Sequence, residues 1–169
     1  VTPARLVLIA VSLVVAVAVQ VSLLSRLGLP GATPDLVLVV VMAFGFVRGP
    51  VAGSAVGFAA GLLLDLAPPS VGYFGLTAAL MAIAGFAAGV VAERSGGVVV
   101  VALLSVALVA FGLTIVRAVI ATLVGDPRVL WGPVFAQSIT SAVYSVLLAA
   151  LIVPVVAAID RKLEPRAGL

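Results

Sequence analysis

Side chains able to do proton, metal or nucleophile chemistry are scarce in this chain. There are six acids, nine bases, two tyrosines and scattered hydroxyls in 169 residues, with no histidine and no cysteine. Without cysteine there is no disulfide, no thiolate nucleophile and no iron–sulfur ligation. Without histidine the commonest general base and metal ligand is missing, and with it the Ser–His dyads of intramembrane hydrolases. Asp35, Asp65 and Asp126 fall on different segments with no ligand-like spacing, so a hard-cation site has no support. Asp35 follows Pro34 and is placed to cap the segment it opens. The expectation is a protein that is not an enzyme and holds no cofactor.

Two further patterns carry information. Gly49, Gly53, Gly57, Gly61 and Asp65 form a strict four-residue series. Such a stripe lets a neighbouring helix backbone approach closely, and its period of four favours a right-handed crossing. It serves either packing within the chain or a seam for another protein. Gly85 and Gly89, among Ala82, Ala84, Ala88 and Ala92, make a second small-residue face, whose obvious partner is the first glycine stripe within the same chain. Arg117 stands inside an apolar run, where a charge is costly unless paired or snorkelling. Asp65 falls at a matching depth, so an Asp65–Arg117 pair is expected. Gln137 and Ser138 are polar groups placed to bridge helices, and Tyr73, Phe74 and Trp131 read as an interfacial aromatic belt.

The elements that must position these residues follow from composition. With 64% of residues hydrophobic and 9% charged, the chain cannot cover a soluble surface. A helix crossing a bilayer uses roughly 20 apolar residues, and breakers divide the chain into six such runs: about 6–24, 36–47, 51–66, 71–92, 98–124 and 133–159. Ala16-Val17-Ala18 resembles a signal cleavage site. The apolar run continues past it, so a first span is the preferred reading. The second and third runs are short and are separated by Arg48-Gly49-Pro50. They are a pair of short spans or a re-entrant hairpin. Pro154 is placed to kink the last run, and a charged tail is expected from Asp160 onward. The whole is one all-α polytopic domain.

With six segments, Arg5, Arg48, Arg94, Arg161, Lys162 and Arg166 fall on one side, against Arg26 and Arg128 on the other. By the positive-inside rule both termini are cytoplasmic. The net charge of +3 comes from arginines scattered between apolar runs. It forms no clustered stripe, so no nucleic-acid partner is expected.

Pro34-Asp35-Leu36, Arg48-Gly49-Pro50, the glycines 53, 57 and 61, and Leu63-Leu64-Asp65-Leu66 leading into the turn Pro68–Phe74 together resemble the MreD family of rod shape-determining proteins. The specific part covers Pro34–Gly75; the later runs match in hydropathy. The resemblance implies a scaffold of the bacterial cell-elongation complex in the inner membrane, with an S-component-like six-helix bundle. It also implies MreC as the direct partner. Through MreC it would reach the elongation transpeptidase, the polymerising glycosyltransferase and, on the cytoplasmic side, MreB; the chain itself would contact membrane lipid. Asp35, Arg48, Gly49, Gly53, Gly57, Gly61 and Asp65 are then assembly or packing elements, and the glycine stripe is the expected groove for a partner helix. The competing readings are the substrate-binding S component of an energy-coupling-factor vitamin transporter and, less favoured, a small ion- or proton-coupled transporter or intramembrane enzyme.

Overall fold

The computed structural model describes residues 3–22, 24, 31–67, 74–125 and 130–162. Six α-helices account for the regular structure there: α1 (Pro3–Ser22), α2 (Leu36–Arg48), α3 (Pro50–Leu66), α4 (Leu76–Ser95), α5 (Val99–Leu123) and α6 (Trp131–Lys162). Three of them, α4, α5 and α6, are long and apolar enough to cross a membrane. Their outward faces carry large exposed apolar side chains such as Leu104, Leu108, Leu147 and Leu151. The chain is a helical membrane protein.

The centre is α2. Its sequence from Leu36 to Val47 has no polar side chain and five valines, a poor helix former in water by propensity. A helix apolar on every side has to be surrounded, and Val37 through Gly45 are all buried. One side of α2 meets Leu13 and Ala16 of α1, Ala60 of α3 and Val156 of α6. The other side meets Met81 and Ala84 of α4, Val106 and Ala110 of α5 and Ala149 of α6.

Gly49 alone joins α2 to α3, with φ +84°, and its N–H bonds Gly45 O at 2.9 Å. Pro50 then starts α3, where a missing N–H costs nothing. The two short runs are therefore a tight helical hairpin of helices about 20 and 25 Å long. Gly49, grouped with the packing stripe on spacing, is the hairpin's turn residue.

Against α3 lies α4, antiparallel, with the two small-residue faces in register. A Cβ on Gly57 would strike the Met81 carbonyl, and one on Gly61 would lie 2.5 Å from Ala78 N. Gly85 and Gly89 meet Gly53 and Pro50 in the same backbone-to-backbone manner. Gly45 joins them, its would-be Cβ 2.5 Å from Gly85 O, so α2, α3 and α4 converge on three glycines. Lipid supplies no hydrophobic drive for helix pairing, so this close fit and its dispersion contacts hold the seam. The stripe is thus filled by α4, and the expectation of an open partner groove along it is corrected.

The last helix starts at Trp131 and continues through Pro154 to Lys162. Its buried stripe, Val134, Ser138, Ser141, Ser145, Ala149, Val156 and Asp160, faces inward. Asp160 therefore belongs to the helix and to the core, a correction to the expected tail. At 32 residues, roughly 48 Å, α6 exceeds a hydrocarbon core of about 30 Å and must tilt or project.

Candidate functional site

Two groups of polar side chains lie at opposite ends of the bundle. At one end, the first N–H groups of α2 need acceptors because no preceding turn supplies them. Asp35 Oδ1 accepts from Leu38 N at 3.0 Å, and Gln20 Oε1, reaching across from α1, accepts from Val37 N at 2.9 Å. Gln20 Nε2 also donates to Asp35 Oδ1 at 3.2 Å, closing a small network around the helix start. Gln20 thus has a structural task that its position in the first apolar run did not disclose.

Arg117 of α5 lies on the other side of Asp35, Nη1 standing 3.6 Å from Oδ2. That distance is an ion pair, too long for a hydrogen bond. The expected Asp65–Arg117 pair is not formed. Asp65 Oδ2 instead accepts from the N–H of Gly75 at 2.8 Å and, more weakly, that of Ala78 at 3.4 Å. Gly75 is the N-cap of α4 and has no side chain to offer, so Asp65 serves as a cap supplied from α3. The series Gly53, Gly57, Gly61, Asp65 then has one logic. Three steps allow backbone contact with α4, and the fourth reaches its N-terminus, where a carboxylate is favoured.

Between Gln20, Asp35, Thr114, Arg117, Gln137 and Ser141 is a cavity of about 400 Å³. An adjoining hollow of about 370 Å³ shares Thr114, Arg117 and Gln137 and extends to Leu130, Pro133 and Val134. Gly31 closes the rim against α6, where a Cβ would lie 2.7 Å from Thr140 Oγ1. The expected bridging by Ser138 is absent: its hydroxyl donates to Val134 O of its own helix at 2.8 Å. Gln137 lines the cavity.

At the opposite end Arg48 and Asp160 form a buried ion pair, with Nε donating to Oδ1 at 3.0 Å and Nη2 also bonded to that oxygen. Their side chains are 12% and 9% exposed. The pair ties the hairpin to α6 across 112 residues of chain. Asp160 was the residue missed from sequence. The available signal was an acid placed at the spacing of the α6 stripe, directly before Arg161 and Lys162.

Phe74 and Trp131 of the expected aromatic belt are exposed. Tyr73, the turn from Pro68, Arg26, Asp126, Arg128 and Arg166 lie outside the described residues. Among the described residues no three acidic side chains come together as a metal would require. Compared with protein-family models, curated proteins and solved structures, the chain matches none.

Proposed function

We propose that this chain is a non-enzymatic, MreD-like scaffold of the bacterial cell-elongation complex, embedded in the inner membrane and bound to MreC. All six helices cross or enter the bilayer, with both termini cytoplasmic. The supporting observation is what the resembling residues do. Asp35 caps α2, Arg48 ties the hairpin to α6, Gly49 turns it, and Gly53, Gly57, Gly61 and Asp65 seat α4. Each holds a rigid body together, as a scaffold requires. The positive-inside rule supports the orientation, since Arg48, Arg94, Arg161 and Lys162 share the hairpin-turn end of the bundle.

With the glycine stripe occupied, the partner surface moves elsewhere. The outer face of α5 and α6 carries a shallow apolar groove of about 530 Å³ lined by Leu104, Leu108, Phe111, Ala142 and Leu147. It suits a single membrane-spanning helix such as that of MreC, which would link the scaffold to the transpeptidase, the polymerising glycosyltransferase and MreB.

Pull-down from gently solubilised membranes tests the reading: a single-span, coiled-coil-containing partner should co-purify. Ala142→Phe should reduce its recovery while leaving the fold intact. Normal recovery with Ala142→Phe would move the interface; absence of such a partner from the wild-type sample would refute the scaffold. A second reading, the vitamin-binding S component, is favoured by the convergence of Gln20, Arg117 and Gln137 on one cavity. An ATPase pair in the same pull-down would support it instead.

A further inference from the structure

The cavity beside Arg117 has a chemistry of its own, whichever partner the bundle serves. Asp35 and Gln20 are engaged in capping α2: Asp35 Oδ1 receives two donors, and Gln20 both donates and accepts. Arg117 is differently placed. Asp35 Oδ2 stands 3.6 Å from it, its side chain is 42% exposed, and it lines both the cavity and the adjoining hollow. No hydrogen bond from its guanidinium to another described residue is present. A membrane segment places an ionised group there at substantial cost, and a guanidinium has five N–H donors, more than one ion pair at 3.6 Å engages among the described residues, so it suits a second, oxygen-rich counter-group.

We propose that Arg117 and Gln137 bind a phosphate group in this cavity. The planar guanidinium fork matches phosphate oxygens two at a time, and the Gln137 amide adds a donor from the facing helix. Asp35 lines the cavity too, its Oδ1 engaged by Leu38 N and Gln20 Nε2 and its Oδ2 facing the guanidinium, so the anion takes the side of the adjoining hollow, which Arg117 and Gln137 line and Asp35 does not. Depth agrees. Arg117 lies six residues before the end of α5, about 9 Å, near the half-exposed Trp131 that opens α6. Tryptophans prefer the level of lipid headgroups. The hollow next to the guanidinium has apolar walls at Leu130, Pro133 and Val134, so it can flank the glycerol of a phospholipid as readily as a small phosphate monoester.

The test uses the intact chain, delipidated in a non-ionic detergent, and three probes: phosphatidic acid, diacylglycerol and glycerol phosphate. Bound probe is counted by native mass spectrometry. Wild type should bind phosphatidic acid about tenfold more tightly than diacylglycerol, and Arg117→Gln should abolish that difference. Gln137→Leu, which leaves the Asp35–Arg117 pair in place, should weaken phosphatidic acid several-fold, and it decides the matter alone if Arg117→Gln fails to fold. Glycerol phosphate binding as well as the lipid would assign the site to a free phosphate; binding of the lipid alone would assign it to a membrane headgroup. Equal binding of phosphatidic acid and diacylglycerol to wild type overturns the proposal. So does wild-type binding of phosphatidic acid by a folded Arg117→Gln, or by Gln137→Leu if Arg117→Gln fails to fold.

Discussion

Gly57→Ala adds one methyl group where α3 and α4 touch through their backbones. That methyl would sit 2.6 Å from the Met81 carbonyl carbon and 3.0 Å from Ala82 Cα. Ordinary contact begins near 3.4 Å, so the helices must part by more than about 0.8 Å, since the Met81 carbonyl oxygen lies closer still, and at least a quarter to a half of the dispersion well of each facing atom is forfeited. The obstacle is backbone on both sides and cannot rotate away. The overpacking cost therefore falls at the upper end of the usual range, about 3 kcal/mol. Alanine returns about 1 kcal/mol of helix propensity. The net expectation is a loss of about 2 kcal/mol. Titrating micelle-solubilised protein with a denaturing detergent, with helicity followed by circular dichroism, measures it. Gly112→Ala is the internal control: it lies inside α5 with nothing within 4 Å of its would-be Cβ. It should be neutral or gain up to about 1 kcal/mol. If Gly57→Ala unfolds at the same midpoint as Gly112→Ala, the α3–α4 seam is wrong.

Two further outcomes follow from the charges. Arg48→Gln should cost about 3–5 kcal/mol because it leaves Asp160 buried and unpaired. The exchange Arg48→Asp with Asp160→Arg should recover part of that loss in the same unfolding assay. Asp65→Ala should cost about 1 kcal/mol, the worth of a helix cap, and hydrogen exchange should rise in the first turn of α4. Exchanging the charges of Asp65 and Arg117 should give no rescue, since Arg117 faces Asp35.

Much of this bundle is legible along the chain. Proline and glycine placed the α2–α3 break at Arg48-Gly49-Pro50, because a residue at φ +84° followed by a ring without an N–H cannot sit inside a continuous helix. Asp35 was readable as a cap for the same local reason. The two small-residue faces were visible too, and each had only one good use once they met. The charge pairings were less accessible. Asp65 and Arg117 were matched by depth, and depth is all that a position along a helix supplies. Which way a residue faces, and which helix lies opposite, depends on how six helices are arranged around α2. Ser138 misled for a related reason, since a hydroxyl in a helix can satisfy itself on the carbonyl four residues back.

From the amino-acid order alone came the membrane setting, the six apolar runs, the hairpin turn and the stripe that demands a close neighbour. These are local or compositional properties: hydropathy, backbone freedom and periodicity need no partner to be read. Tertiary structure decided that Asp160 is buried against Arg48 and that Asp65 caps α4. It also left Arg117 facing a cavity with Gln137. Those outcomes depend on the rotation of each helix about its axis, which is settled only when all the contacts around α2 are satisfied together.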